Sequence, residues 1–282
     1  MSIFGSGKRI IKLNKCKIIA EIGWNHMGDM NLAKTMIDVA KGCGADYAKF
    51  QTWSVKNLKP GPWDNDGRRE IYEKAELTKE KHYELKDYCY RAGITFLTSV
   101  FNYDDISMVK GLGCEHIKIP STEAVNKLLV EKCLSDFSHV FISTGGLTYE
   151  EIIELRDILL QHPEEKCTVL HCVSLYPCPL EKANIERVAY LAEKLPCDVG
   201  YSDHTQNVWA AYAAIAHGAT VVEKHFTVDN SLPGRDNKFA CTPEELRDVC
   251  RFREVYALMT SDFKRGRQNE ENGIEEYRGR WG

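Results

Sequence analysis

The feature of this sequence that most constrains its fold is an alternation. Short apolar runs that turn polar at their C-terminal ends recur about eight times, and stretches of helical period separate them. The runs read as strands at 16–23, 47–53, 95–101, 116–120, 139–144 and 167–174, then at GYSDHT (200–205) and VVEKHFT (221–227). Helical patterns fall at 32–41, 77–93, 104–112, 125–134, 148–161, 184–194, 208–217 and from 242 to about 259. Thr78 reads as an N-cap, and Thr148 with Glu151 as a capping box. Apolar strands that each lead into a helix call for a parallel sheet buried on both faces. Eight such units are the number that closes a ring, so the expected fold is α/β, a (β/α)8 TIM barrel. The 282 residues divide into an N-terminal extension (1–15), a catalytic barrel (16–262) and a polar C-terminal tail (263–282). A polar stretch, 54–77, interrupts the alternation and reads as a long loop, a length that usually carries function.

Charge and cysteine usage narrow the function classes. A formal net charge of −4 and the lack of a basic patch with interleaved aromatics argue against nucleic acid as a partner. No apolar run is long enough to span a bilayer, and the first residues are too polar for a secretory signal. The eleven cysteines form no CxxC pair, and several lie inside apolar strands. That usage points to reduced thiols and a cytoplasmic protein.

Polar residues collect at the strand ends: Glu21; Lys49 and Gln51; Thr98 and Ser99; Lys118 and Ser121; Ser143 and Thr144; His171 and Ser174; Ser202, Asp203 and His204; Glu223, Lys224 and His225. In a β/α barrel the C-terminal rim is where substrates bind. The period of two puts Lys49 with Gln51, and Glu223 with His225, on one face, and turns Lys118 inward between Ile117 and Ile119. Lysines inside apolar strands need anions. With Ser99, Ser121, Ser143 and Ser202 beside them, they point to a phosphate- or carboxylate-bearing ligand. His204 and His225, at the same end of neighbouring strands, can hold a divalent metal with positions left open, although two imidazoles make an incomplete site. Cys172 reads as core, and His26 either caps the first loop or lines the site.

Taken together, AEIGWNHMG (20–28), KFQT (49–52), KIPS (118–121), STGG (143–146), LHCVSLYPCP (170–179), GYSDHT and EKHFT (223–227) resemble the sialic acid synthase family, in order and at family spacing. The resemblance covers about residues 16–260. It implies a phosphoenolpyruvate-dependent transferase that condenses phosphoenolpyruvate with a sugar aldehyde to a 3-deoxy-2-keto sugar acid, releasing phosphate. It implies a metal on His204 and His225, manganese, with magnesium or cobalt as alternatives. It implies a phosphoenolpyruvate pocket of Lys49, Ser99, Lys118, Ser121, Ser143, Asn184 and Ser202. Glu21, Gln51, Tyr176 and Asp236 would face the sugar and the metal-bound water, and Glu223 would be a proton-transfer candidate with Glu21. A homodimer is expected, without the contact that a C-terminal antifreeze-like domain makes in many members, since the sequence stops after the barrel. The sequence departs from the family at Thr98–Phe101, reading TSVF, at Pro233–Asn237, reading PGRDN, and at Ala240, which replaces a serine. The last two concern the sugar side, so an acceptor other than N-acetylmannosamine is expected, with Arg235 or the tail arginines Arg265, Arg267, Arg278 and Arg280 supplying the missing contact. Two alternatives stay open: an aldolase or lyase acting on a 2-keto or phosphorylated sugar acid, and a catalytically silent barrel serving as a partner subunit.

Overall fold

The computed structural model describes residues 16–261, 268–271 and 273–280. Eight parallel strands close into a barrel in sequence order: β1 (Lys17–Gly23), β2 (Tyr47–Thr52), β3 (Thr95–Val100), β4 (His116–Ile119), β5 (His139–Ser143), β6 (Cys167–Cys172), β7 (Asp198–Asp203) and β8 (Val221–His225). The ring closes where β1 pairs with β8, with Glu21 opposite His225. The helices are α1 (Met30–Cys43), α2 (Arg68–Ala75), α3 (Lys79–Ala92), α4 (Tyr103–Gly111), α5 (Lys127–Asp136), α6 (Tyr149–Leu159), α7 (Glu186–Lys194), α8 (Trp209–Ala216) and α9 (Pro243–Thr260). The helix starts follow local chemistry. Thr78 caps α3 by accepting from the Lys81 amide, and Thr148–Glu151 and Thr242–Glu245 form full capping boxes at α6 and α9.

Two apolar layers hold the barrel. Outward strand residues such as Ile18, Ala20, Phe50, Ile117, Ile119, Val169 and Val222 pack on the helices, while Ile19, Tyr47, Leu97, Phe141, Leu170 and Val221 fill the barrel interior. Two residues further along the same interior rows the chemistry changes: Ile19 gives way to Glu21, Tyr47 to Lys49, Leu97 to Ser99, Phe141 to Ser143, Leu170 to Cys172 and Val221 to Glu223. The period of two keeps each pair on one face, so an apolar plug closes one end and a polar layer floors the other.

The stretch 54–77 differs from the expected loop. It contains two 3-10 turns and α2, and Glu76 ties it down by accepting from the Ser54 hydroxyl at 2.9 Å and the Val55 amide at 3.1 Å. The sequence of α2, RREIYEKA, is too polar to show an apolar stripe, which is why its periodicity is hidden. The N-terminal extension lies outside the described residues, as do Arg265 and Arg267 of the tail. No described helix is long and apolar enough to cross a membrane.

Candidate active site

The C-terminal ends of the strands surround a cavity of about 440 Å³. Of the residues expected from the sequence, Glu21, Lys49, Gln51, Ser99, Lys118, Ser121, Ser143, Tyr176, Ser202, His204, Glu223, His225 and Asp236 all line it. They come from every strand except β6 and from the connections that follow β4, β6, β7 and β8, and register brings the strand residues to one level: Gln51 pairs with Ser99, Ser99 with Lys118, and Ser202 with Glu223. Asn184 is the exception. It is exposed, in a left-handed turn conformation (φ 51°) between a 3-10 turn and α7, and does not line the cavity. The helical pattern beginning at 184 is correspondingly shorter, since α7 starts at Glu186. Arg278 and Arg280 do not line the cavity either, whereas Arg235 does.

A buried ion cluster forms the floor. The Lys118 ammonium donates to both Glu223 oxygens at 3.1 Å, and the Ser202 hydroxyl to one of them at 3.1 Å. Lys49 pairs with Glu21 at 2.8 Å and lies 3.7 Å from Glu223. The side chain of Gln51 donates to the other Glu21 oxygen at 2.6 Å. The two carboxylates are pushed apart. Burial would raise Glu223, but Lys118 and Lys49 overturn it and hold the group at about 2. Burial also raises Glu21, and there it prevails over Lys49, helped by the Glu223 charge. Burial lowers Lys118, whereas Lys49 is raised because Glu21 and Glu223 outweigh its burial.

Beside the lysines lies a cradle. The Gly145 amide donates to Ser121 Oγ at 2.9 Å. A Cβ on Gly145 would sit 2.3 Å from Ser174 Oγ and 2.9 Å from both Ser121 Oγ and Cys172 Sγ, so only glycine leaves this space open. The Ser143 hydroxyl is buried with no hydrogen-bond partner. Hydroxyls and a backbone amide next to two ammoniums suit a phosphate or carboxylate. Cys172, read as core, is buried as expected but also lines the cavity, 3.8 Å from His204 Nδ1. Ser174, one of the strand-end polar residues of the sequence reading, lines it too, as do Trp24, Arg68 and Tyr72, to which that reading assigned no role in the pocket. Arg68 and Tyr72 escaped it because α2 did.

The imidazoles of His204 and His225 lie with ring centroids 5.4 Å apart, and the Tyr176 ring sits 4.1 Å from that of His204. His204 Nδ1 donates to the Val173 carbonyl, at 2.8 Å, so in the neutral ring the lone pair is on Nε2. Its loop is held from behind. Asp203 and Lys224 point away from the cavity and pair at 2.9 Å; Asp203 accepts from the Thr205 amide, and Lys224 donates to the Thr205 carbonyl. His225 Nδ1 is buried without a partner, 3.6 Å from Asp236 Oδ2, and burial with the neighbouring His204 and Lys49 keeps the ring neutral. These are the features of ring nitrogens able to bind a metal. Among the described residues no group of three or more His, Cys, Asp or Glu is arranged to hold one. His26 is outside the cavity: its Nδ1 accepts from the Gly28 amide at 3.1 Å, a capping role.

Residues 36–264 match the NeuB family. The chain is 34% identical over 276 residues to an N,N'-diacetyllegionaminic acid synthase of Campylobacter jejuni, covering 93% of this chain and 83% of that one. It is 32% identical over 244 residues to a pseudaminic acid synthase of the same organism, covering 83% and 71%. Its fold matches that of an N-acetylneuraminic acid synthetase from Leptospira borgpetersenii, crystallised with citrate, with a TM-score of 0.85, 31% identity, and coverage of 94% and 92%.

Proposed function

The chain belongs to the NeuB family, and from that premise we propose that it joins phosphoenolpyruvate to the open-chain aldehyde of a sugar, giving a 3-deoxy-2-keto sugar acid of the nonulosonic type and phosphate. It is a transferase. The observation that supports the reading is one cavity lined both by Lys49, Lys118, Ser121 and Ser143, which we read as its anion-binding half, and by His204, His225, Tyr176 and Asp236, which we read as its acceptor half.

Lys49 and Lys118, with Ser121, Ser143, Ser174 and Ser202, hold the phosphate and carboxylate of phosphoenolpyruvate. That fixes its C3 toward the acceptor carbonyl, so that the encounter becomes effectively intramolecular. His204 and His225 would hold a divalent metal, for which manganese is the reading. When bound, the metal supplies Lewis acidity to the acceptor carbonyl oxygen. As C3 forms the new carbon–carbon bond, positive charge grows at C2. Glu223, kept ionised by two lysines, stabilises that charge. Water adds to C2. Glu21, whose carboxyl is raised, passes one of the water's protons to the new alkoxide oxygen. The other leaves with the phosphate when the C–O bond of the hemiketal phosphate breaks. The two glutamates thus take different roles because their surroundings differ.

A phosphate-release screen tests the function, with phosphoenolpyruvate offered beside aldoses, N-acyl hexosamines and aldose phosphates. The expected result is release that needs both substrates. Cleavage of a 2-keto sugar acid without phosphoenolpyruvate would replace this reading with a lyase, and no turnover with any acceptor would favour the silent barrel.

A further inference from the structure

The acceptor half of the cavity is walled by residues from three different connections. Trp24, just after β1, donates its indole N–H to Asp236 Oδ2, in the connection after β8. Its ring stacks on Tyr72 of α2, with centroids 4.9 Å apart and planes at 27°, and meets Trp53 edge-on at 6.0 Å. Asp236 is 6% exposed. Of its two oxygens, Oδ2 is the one that faces both the indole and His225.

The same two connections are pinned at a second point. The Asn25 side chain donates to the Phe226 carbonyl at 2.8 Å, and the Asn237 side chain donates to the Asn25 carbonyl at 3.2 Å. With the backbone so held, the freedom left to Asp236 is in its side chain. Among the described residues the indole is the one hydrogen-bond donor to this short carboxylate, which lies between a neutral imidazole and open cavity. The indole itself cannot turn without leaving the Tyr72 face.

We propose that Trp24 is the positioning residue for Asp236, clamped in place by Tyr72, and that through it the inserted helix α2 sets how the acceptor aldehyde is aligned. The inference rests on the acceptor-side role given to Asp236 above. A carboxylate held by one directed donor keeps a single orientation, which is what alignment of a reacting carbonyl requires. Losing a hydrogen bond to a charged group lowers acceptor kcat/KM by about tenfold or more.

The test uses the full chain and Trp24→Phe, which keeps an aromatic ring beside Tyr72 and removes the N–H together with the fused five-membered ring. The expected result is the tenfold or larger loss for the acceptor, with the phosphoenolpyruvate KM unchanged. In an Asp236→Asn background the same change should add nothing further, since both variants break one contact. Trp24→Phe activity equal to wild type, or full additivity with Asp236→Asn, would overturn the proposal while leaving the synthase reading intact. A second readout is independent of turnover. In protein labelled with nitrogen-15 at tryptophan, the indole N–H resonance that vanishes in Trp24→Phe should move in Asp236→Asn. An unmoved resonance would overturn the contact itself, whether or not the enzyme turns over.

Discussion

Lys118 answers to two partners, one present and one to come. In the free protein its ammonium is satisfied by both oxygens of Glu223, in a setting where an unpaired charge would be costly. Phosphoenolpyruvate brings further negative charge to the same place. Lys118→Met keeps the stem and removes the charge. Truncating one partner of a buried, hydrogen-bonded charge pair costs about 2–5 kcal/mol, so affinity for phosphoenolpyruvate should fall on the order of a hundredfold. The acceptor KM should change little, and equal losses for both substrates in steady-state kinetics would reject the division of the cavity. His26 makes a prediction of another kind. Burial lowers its ring from 6.5 to about 4, and the Gly28 amide occupies Nδ1, so the folded protein holds the ring neutral. The unfolded chain takes up a proton near 6.5 and the folded one only near 4. Between those values the unfolded state binds more protons, so stability rises with pH and is lost on acidification. The loss from this residue is about 3 kcal/mol when complete. Urea unfolding of His26→Gln across that range should show a shallower slope than wild type, and parallel slopes would remove His26 as the cause.

At the scale of elements, α2 joins the site to the scaffold. Gly28 makes the joint possible: its φ is 83°, and a Cβ there would sit 1.9 Å from the Lys74 carbonyl oxygen in α2. Gly28→Ala must therefore displace α2 or strain the turn, and the left-handed backbone alone costs about 1–2 kcal/mol. Because α2 carries Arg68 and Tyr72 but neither Lys49 nor Lys118, the acceptor KM should rise while that for phosphoenolpyruvate holds. A stability loss with both KM values unchanged would detach α2 from acceptor binding. This element is also where reading the sequence stopped short. The strands were legible because their two faces repeat every second residue, and Tyr47, Lys49 and Gln51 announce an interior row whatever surrounds them. The helices on the barrel were legible through their caps, as at Thr78, Thr148 and Thr242. RREIYEKA offers neither signal, having no Ser, Thr, Asp or Asn cap and little apolar face, so its place depends on contacts made by Tyr72 and Gly28 across the fold. Asn184 is absent from the cavity lining for a related reason: a motif fixes a residue's identity, but its left-handed backbone conformation belongs to the turn before α7 and is not legible in the sequence. Cys172 shows the reverse, a core residue by burial that also borders the cavity.

For the whole molecule, the ring of strands separates stability from chemistry. The apolar plug of Ile19, Tyr47, Leu97, Phe141, Leu170 and Val221 and the outer packing on the helices involve neither His204 nor His225. Those imidazoles are already oriented by protein contacts, the Val173 carbonyl for one and β8 for the other. A metal bound there stabilises the fold only by mass action, unlike a structural zinc whose removal unfolds its domain. Chelation should therefore abolish turnover and leave a cooperative thermal transition in place. Phosphoenolpyruvate should still raise the midpoint of the metal-stripped protein, because in the proposed arrangement Lys49 and Lys118 would bind it without help from the imidazoles. At a concentration one hundred times its dissociation constant the gain is about 2.7 kcal/mol, a shift of several degrees for a chain of this size. Differential scanning calorimetry of the chelated protein, with and without phosphoenolpyruvate, measures both. Unfolding on chelation would mean that the imidazole pair carries the fold, and a midpoint indifferent to phosphoenolpyruvate would mean that the lysines serve only Glu21 and Glu223.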